Sequence, residues 1–247
     1  MLIYLIIGLL GGILSGLLGI GGGVLFVPLL TYLSTTNFKT NTGISSMAVV
    51  LVGTASATAY LLNDFSKGQN FITEIVIMII AGILGSYFGS KLTFKINTKL
   101  LKRIFSVLLI FSGYRMIFAN QVESITGDIL ILFFVIGFIS GIGSGLLGIG
   151  GGIIRIPLLV LFGGFEQIIA QGISLITTVP TALTAAITKL RNDTKSRNIG
   201  LIVGSSGIVG SFIGGNIVFN ISDEVLNISF GLFLFAVSIN MFKNSSK

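Results

Sequence analysis

One glycine-rich stretch, present twice, constrains this chain more than any other feature. Ser15-Gly16-Leu17-Leu18-Gly19-Ile20-Gly21-Gly22-Gly23, followed by Pro28-Leu29-Leu30, recurs 129 positions later. The second copy reads Ser144-Gly145-Leu146-Leu147-Gly148-Ile149-Gly150-Gly151-Gly152, followed by Pro157-Leu158-Leu159. Both copies interrupt apolar sequence. Residues 2–33 carry no charge, and as one helix they would measure about 48 Å against a hydrocarbon core of about 30 Å. The glycines are the natural breaking point. A break inside a bilayer survives only where the freed backbone groups face protein or a polar cavity. Two breaks at matching places in two halves point to a binding site of a secondary transporter.

Composition agrees with a bilayer. Only 9% of the 247 residues are charged, against roughly 25% in a soluble domain, and the mean hydropathy is +1.02. The formal charge of +7 is spread over short loops, which reads as membrane orientation and not as nucleic-acid binding. Cysteine and histidine are absent, which removes disulfides, thiol nucleophiles, imidazole relays and most transition-metal sites. No metal, cofactor or enzymatic activity is expected. No Walker lysine follows either glycine run, and no acid sits mid-span to relay protons. Gly143-x-Gly145-x-x-Gly148 matches a dinucleotide fingerprint by letter only, because no strand precedes it. Met1 to Leu18 lacks a basic leader and an A-x-A-like cleavage site, and is read as a retained transmembrane helix.

The hydropathy pattern predicts helices over 2–18, 24–34, 43–62, 72–92 and 100–118. The second half repeats them over 129–147, 153–162, 171–189, 199–219 and 225–242. Gly43-Ile44-Ser45 aligns with Gly172-Ile173-Ser174, and Gly82-x-x-Gly85-Ser86-x-x-Gly89 with Gly207-x-x-Gly210-Ser211-x-x-Gly214 after a four-residue shift. The expectation is one transmembrane domain over 1–247, built from internal repeats at about 1–119 and 128–247, with a linker near 120–127. Loop charges mirror one another. Lys91, Lys95, Lys99, Lys102 and Arg103 in half one correspond to Asp223 and Glu224 in half two; Asp64, Lys67 and Glu74 correspond to Lys189, Arg191, Asp193, Lys195 and Arg197. Basic loops stay cytoplasmic, so equivalent loops lie on opposite sides. The predicted fold is an all-α polytopic membrane protein with two inverted-topology repeats. Each has a glycine-broken helical hairpin and three further transmembrane helices. Both termini are placed in the cytoplasm and residues 64–68 outside.

A helix starting after Gly21, Gly22 and Gly23, or after Gly150, Gly151 and Gly152, leaves N–H groups unpaired and a partial positive charge at its start. Glycine lets an anion approach that backbone. Two such starts near a pseudo-two-fold form a candidate anion cradle; close helix packing is the alternative role for the glycines. Half two alone adds a charge, since Arg155 stands where half one has Phe26. A guanidinium suits sulfonate, sulfite, phosphate or carboxylate oxygens. Ser45 and Ser174 are the nearest candidate hydroxyl donors. Ser46, Thr54, Ser56 and Thr58 on one helix, and Thr177, Thr178, Thr181, Thr184 and Thr188 on its partner, serve either an anion or the backbone. Pro180 marks an expected kink, and Asn41 and Gln171 stand as candidate gates.

On these residues the chain resembles the TauE/SafE family of membrane permeases, of the sulfite-exporter and toluene-sulfonate-uptake type. The likeness rests on the doubled Gly-Leu-Leu-Gly-Ile-Gly-Gly-Gly with Pro-Leu-Leu, the Gly-Ile-Ser that follows, and Gly-x-x-Gly-Ser-x-x-Gly. It covers nearly the whole chain, with Gly-Ile-Ser where the family pattern has Gly-Thr-Ser. The resemblance implies a multi-pass inner-membrane secondary transporter for a sulfur-containing anion such as sulfite, sulfoacetate or another organosulfonate. The expected partners are that anion and the lipid bilayer, with homo-oligomerisation left open. The alternatives are a passive anion channel and a non-transporting binding or assembly subunit. No motif sets the exact substrate, the direction of transport or a coupling ion.

Overall fold

The computed structural model describes residues 1–34, 36–62, 71–118 and 129–243. The expected linker at 120–127 and the loop at 64–68 lie outside the described residues. Within them the chain forms ten α-helices and no strand. Half one contributes α1 (Leu2–Leu18), α2 (Gly23–Leu33), α3 (Phe38–Leu62), α4 (Ile72–Lys95) and α5 (Thr98–Phe118). Half two contributes α6 (Ile129–Leu147), α7 (Gly152–Gly163), α8 (Gln167–Leu190), α9 (Thr194–Ile217) and α10 (Asp223–Lys243), with a 3-10 turn at Val218–Asn220. Five of them, α3, α4, α6, α8 and α9, are long and apolar enough to cross a membrane.

The predicted spans recur with one systematic difference. α3, α8 and α9 begin several residues before the apolar runs that announced them. Hydropathy marks the part of a helix in lipid, whereas its end is set by the cap. Asn37 Oδ1 accepts from the Thr40 amide at 2.9 Å, and Asp193 Oδ1 accepts from the Ser196 amide at 3.0 Å. The Ser196 hydroxyl, and after it the Ser196 amide, hold the Asp193 carboxyl below its ordinary range. α8 runs through Pro180 from Gln167 to Leu190 as one helix.

Each broken segment folds back. Phe26 of α2 packs its ring on Gly11 of α1, and Leu30 joins Ile7 in one buried cluster, so α2 returns along α1. The most extensive helix contacts cross between halves. α1 lies on α9 in the same direction: Gly8 meets Val203, Gly12 meets Gly207 and Gly16 meets Ser211. α6 lies on α4 likewise, with Gly137 at Met78, Gly141 at Gly82 and Gly145 at Ser86. α9 also follows α3, through Gly200 at Ile44 and Gly204 at Ala48. α8 follows α4, through Thr177 at Met78 and Gly82 at Thr181. α3 and α8 cross antiparallel, since Tyr60 late in α3 reaches Gln171 early in α8 and Lys189 late in α8 reaches Thr42 early in α3. Hence α1, α3 and α9 run one way and α4, α6 and α8 the other.

Glycine makes these crossings. Between apolar helices in lipid, close van der Waals approach replaces the hydrophobic effect as the source of association. A Cβ at Gly12 would stand 2.1 Å from the Gly207 carbonyl oxygen, and one at Gly141 2.3 Å from the Gly82 carbonyl oxygen. Both obstacles are backbone, which a rotamer change does not remove. At Gly53 the nearest atoms would be at 3.5 Å, an ordinary contact. Gly12→Val and Gly141→Val are therefore expected to lower stability by about 1–3 kcal/mol or more, read as thermal midpoints in detergent, while Gly53→Ala stays near the parent. Equal tolerance at all three positions would contradict the crossings.

Candidate anion site

The two glycine runs meet. Gly19 and Gly148 end α1 and α6 in the left-handed region, at φ 65° and 72°, and their amides close on Ser15 O and Ser144 O. Gly22 and Gly151 cap α2 and α7 at φ 74° and 87°, a conformation that costs a side chain about 1–2 kcal/mol. Gly21 and Gly150 also have positive φ, and both rest against Val49 and the Thr178 methyl. Gly23 and Gly152 are needed for proximity instead. A Cβ at Gly23 would lie 2.5 Å from Ile149 Cα, and one at Gly152 2.9 Å from Ile20 Cα. The starts of α2 and α7 thus abut at the centre of the protein. Neither has a side-chain cap or an acidic residue in its first turn.

Arg155 projects from the first turn of α7 and is fully buried. Its Nε donates to Ser140 Oγ at 3.2 Å, and Nη1 donates to Ser174 O at 2.9 Å and Thr178 Oγ1 at 3.1 Å. All three partners are neutral. Nη2 has no partner and lies 3.0 Å from where a Gly151 Cβ would be. Ser174 Oγ also has no partner and lies 3.0 Å from the corresponding point at Gly152. Two orphaned polar atoms, one of them cationic, therefore flank the start of α7. In the equivalent place Phe26 is fully buried against Gly11 and Gly22.

The other hydroxyls are mostly committed to backbone. Ser45 donates to Gly148 O at 2.7 Å, while Thr178 and Thr181 reach Gly150 O at 3.1 and 3.3 Å. Ser46, Thr54, Thr58, Thr177, Thr184 and Thr188 bond carbonyls one turn back. Ser56 pairs with Ser15 at 3.2 Å; the position equivalent to Ser56 is Ala185, which leaves Ser144 Oγ without a partner. Asn41 is held by Thr36, donating to its carbonyl at 3.1 Å. Gln171 Oε1 accepts from Tyr60 at 2.7 Å, and its Nε2 is unpartnered. Ser45 and Ser174 are sequence equivalents with different employment: one is spent on a carbonyl and the other is free.

Three residues outside the predicted set complete the breaks. Tyr60 OH shares its one proton between Gln171 Oε1 and Gly16 O, the latter at 3.2 Å, Lys189 Nζ donates to Leu146 O at 3.4 Å, and Thr93 Oγ1 shares its proton between Gly145 O and Leu146 O at 3.1 and 3.0 Å. Tyr60 and Lys189 are sequence equivalents, and each relieves the last turn of a broken helix. Overlaying the halves residue by residue is the signal that finds them. Removing the hydroxyl of Ser45 orphans a buried carbonyl, so Ser45→Ala should cost about 1–3 kcal/mol. Ser174→Ala removes an atom that bonds nothing here and should leave thermal stability within about 0.5 kcal/mol of the parent. Equal losses in a melting experiment would erase the distinction.

Known proteins are similar to this chain in sequence. The family profile described as sulfite exporter TauE/SafE matches residues 1–116 and 133–247. A probable membrane transporter protein of Xylella fastidiosa (strain 9a5c) is 30% identical over 238 residues, 92% of this chain and 89% of that protein. A probable membrane transporter protein of Methanocaldococcus jannaschii is 32% identical over 168 residues, 64% of this chain and 61% of its own length. The Bacillus subtilis probable membrane transporter protein YunE is 23% identical over 242 residues, 87% of this chain and 86% of that protein. No solved structure matches the chain. By its two glycine-broken halves and by these matches, the chain belongs to the sulfite exporter TauE/SafE family of membrane transporters.

Proposed function

We propose that this chain is a secondary transporter for a small sulfur-containing anion, such as sulfite, sulfoacetate or another organosulfonate. The observation that carries the reading is the unpartnered Nη2 of Arg155, fully buried where two uncapped helix starts abut. A buried guanidinium without a carboxylate is costly in a membrane unless a ligand balances it. An anion at the start of α7 would take Arg155 Nη2, Ser174 Oγ and the helix N–H groups. Gly21, Gly22 and Gly23 would supply the matching backbone from α2. A tetrahedral or pyramidal oxyanion offers oxygens to several such donors at once, which favours sulfonate and sulfite geometry.

Alternating access follows from an inverted arrangement of one domain, with repeats at about 1–119 and 128–247. Its support is directional. α1 and α6, α3 and α8, and α4 and α9 are sequence equivalents, and in each pair one member belongs to the set running the other way. Orientation rests on charge. The ends of α4 and α8 bring Lys91, Lys95 and Arg191 to one cavity, and this basic end is assigned to the cytoplasm of a cell (inner) membrane. α1 begins at the same end as α9, which starts just after Arg191, so the N-terminus falls inside. The C-terminus, after Lys243, is assigned there too.

Function is tested in proteoliposomes containing this chain alone. The expected result is counterflow of labelled sulfite or sulfonate, where a channel would give conductance without counterflow and an assembly subunit neither. At the site, Arg155→Ala should weaken anion binding roughly ten- to hundred-fold, as expected for losing one partner of a charged hydrogen bond. Arg155→Lys should recover part of that, because an ammonium lacks the planar two-point contact. Phe26→Leu should leave affinity nearly unchanged. Titration of the three purified variants measures all of this, and unchanged binding in Arg155→Ala would remove the guanidinium from the site.

A further inference from the structure

We infer that the groove between the ends of α4 and α8 is a binding site for the headgroup of an anionic phospholipid. The groove encloses about 670 Å³ and is lined by Tyr87, Lys91, Phe94, Lys95, Ile187, Thr188 and Arg191. Three of the seven lining residues are cations and none is an acid. Lys91 is steadied with its ammonium 4.2 Å from the Tyr87 ring centre, and Lys39 adds a fourth cation nearby, donating to Phe94 O at 3.2 Å. The carboxylate nearest in sequence, Asp193, is turned to the Ser196 amide.

Apolar surface beside the cations decides what kind of anion fits. Tyr87, Phe94 and Ile187 are 41%, 55% and 59% exposed on helices long and apolar enough to cross a membrane; Tyr87 and Ile187 stand one helical turn before Lys91 and Arg191 and present acyl-chain surface below them, with Phe94 level with Lys95. A phosphodiester at the level of Lys91, Lys95 and Arg191, with its chains along Tyr87 and Ile187, satisfies both. A soluble anion would use the charges alone. Basic pockets between helices at one membrane face are a recurring headgroup solution.

The molecule contains its own control. By sequence equivalence the other half has Asn216 for Lys91, Asn220 for Lys95 and Leu62 for Arg191. The two sets of positions differ in charge. A generic attraction of lipid to any helix crevice would treat them alike.

The chain has no tryptophan, so Ile187→Trp introduces a single reporter at the basic groove and Thr58→Trp one at its neutral counterpart. Brominated phosphatidylglycerol and brominated phosphatidylcholine are compared as quenchers in mixed bilayers of the full chain. The expected result is a preference for phosphatidylglycerol of about ten-fold or more at the first reporter and none at the second. Adding Lys91→Gln, Lys95→Gln and Arg191→Gln together should bring the first to parity, and Arg191→Gln alone should lower it roughly five-fold, as expected near a charged surface. Equal quenching by the two lipids at the first reporter would overturn the site, as would a preference that survives neutralisation. Reversal of phosphatidylglycerol quenching by inorganic phosphate at constant ionic strength would make it a soluble-anion site and overturn the lipid assignment.

Discussion

A helix broken inside a bilayer must find hydrogen-bond partners for its freed backbone within the protein, and that requirement shapes this fold. Water is not there to supply them, and each unmet group costs several kcal/mol. Carbonyls released at the end of α6 are taken by Thr93, Lys189 and Ser45. Gly150 O is taken by Thr178 and Thr181. At the end of α1, Tyr60 reaches Gly16 O. These six side chains are thereby employed at the two breaks. What remains unemployed beside α7, Arg155 Nη2 and Ser174 Oγ, is what a ligand can use.

The breaks hold their positions because the halves interlock. α1 is packed against α9 and α6 against α4 through backbone-to-backbone contacts at glycines, so neither half presents a finished helix bundle by itself. α3 and α8 cross between them, with Val49 and Thr178 touching both Gly21 and Gly150. Near-symmetry of the scaffold throws its exceptions into relief. Phe26 against Arg155 and Tyr60 against Lys189 place both buried cations among the described side chains in half two, and Ser45 against Ser174 frees one hydroxyl of an equivalent pair. For the proposed function, a near-symmetric frame with a one-sided set of charges would give an anion a defined seat and leave the frame able to open toward either membrane face.

Much of this was legible in the residues. The breaks at Gly19–Gly23 and Gly148–Gly152, the helices around them and the placing of Arg155 beside the second break all follow from apolar run length, duplicated glycines and the one cation next to a glycine run. Helix starts at Phe38, Gln167 and Thr194 were not, because lipid exposure and helix capping obey different rules. The employment of hydroxyls was not legible either. Ser45 and Ser174 read identically in one dimension, and only their distances to Gly148 O and Gly152 separate them. Tyr60 escaped notice and Lys189 was read only as a loop charge, because their partners, Gly16 and Leu146, are more than forty residues away; Lys189 is buried at the end of α8.

The central claim is that an anion sits against the free edge of Arg155 where α2 and α7 begin. Selenite, a heavier congener of sulfite, gives a direct view of it, since anomalous diffraction from a crystal of the selenite complex locates selenium without reference to transport. The account predicts a selenium peak within hydrogen-bonding reach of Arg155 Nη2 and Ser174 Oγ, beside Gly151 and Gly152. A selenium peak elsewhere in the protein, with Arg155 Nη2 still unpartnered at saturating selenite, would contradict it.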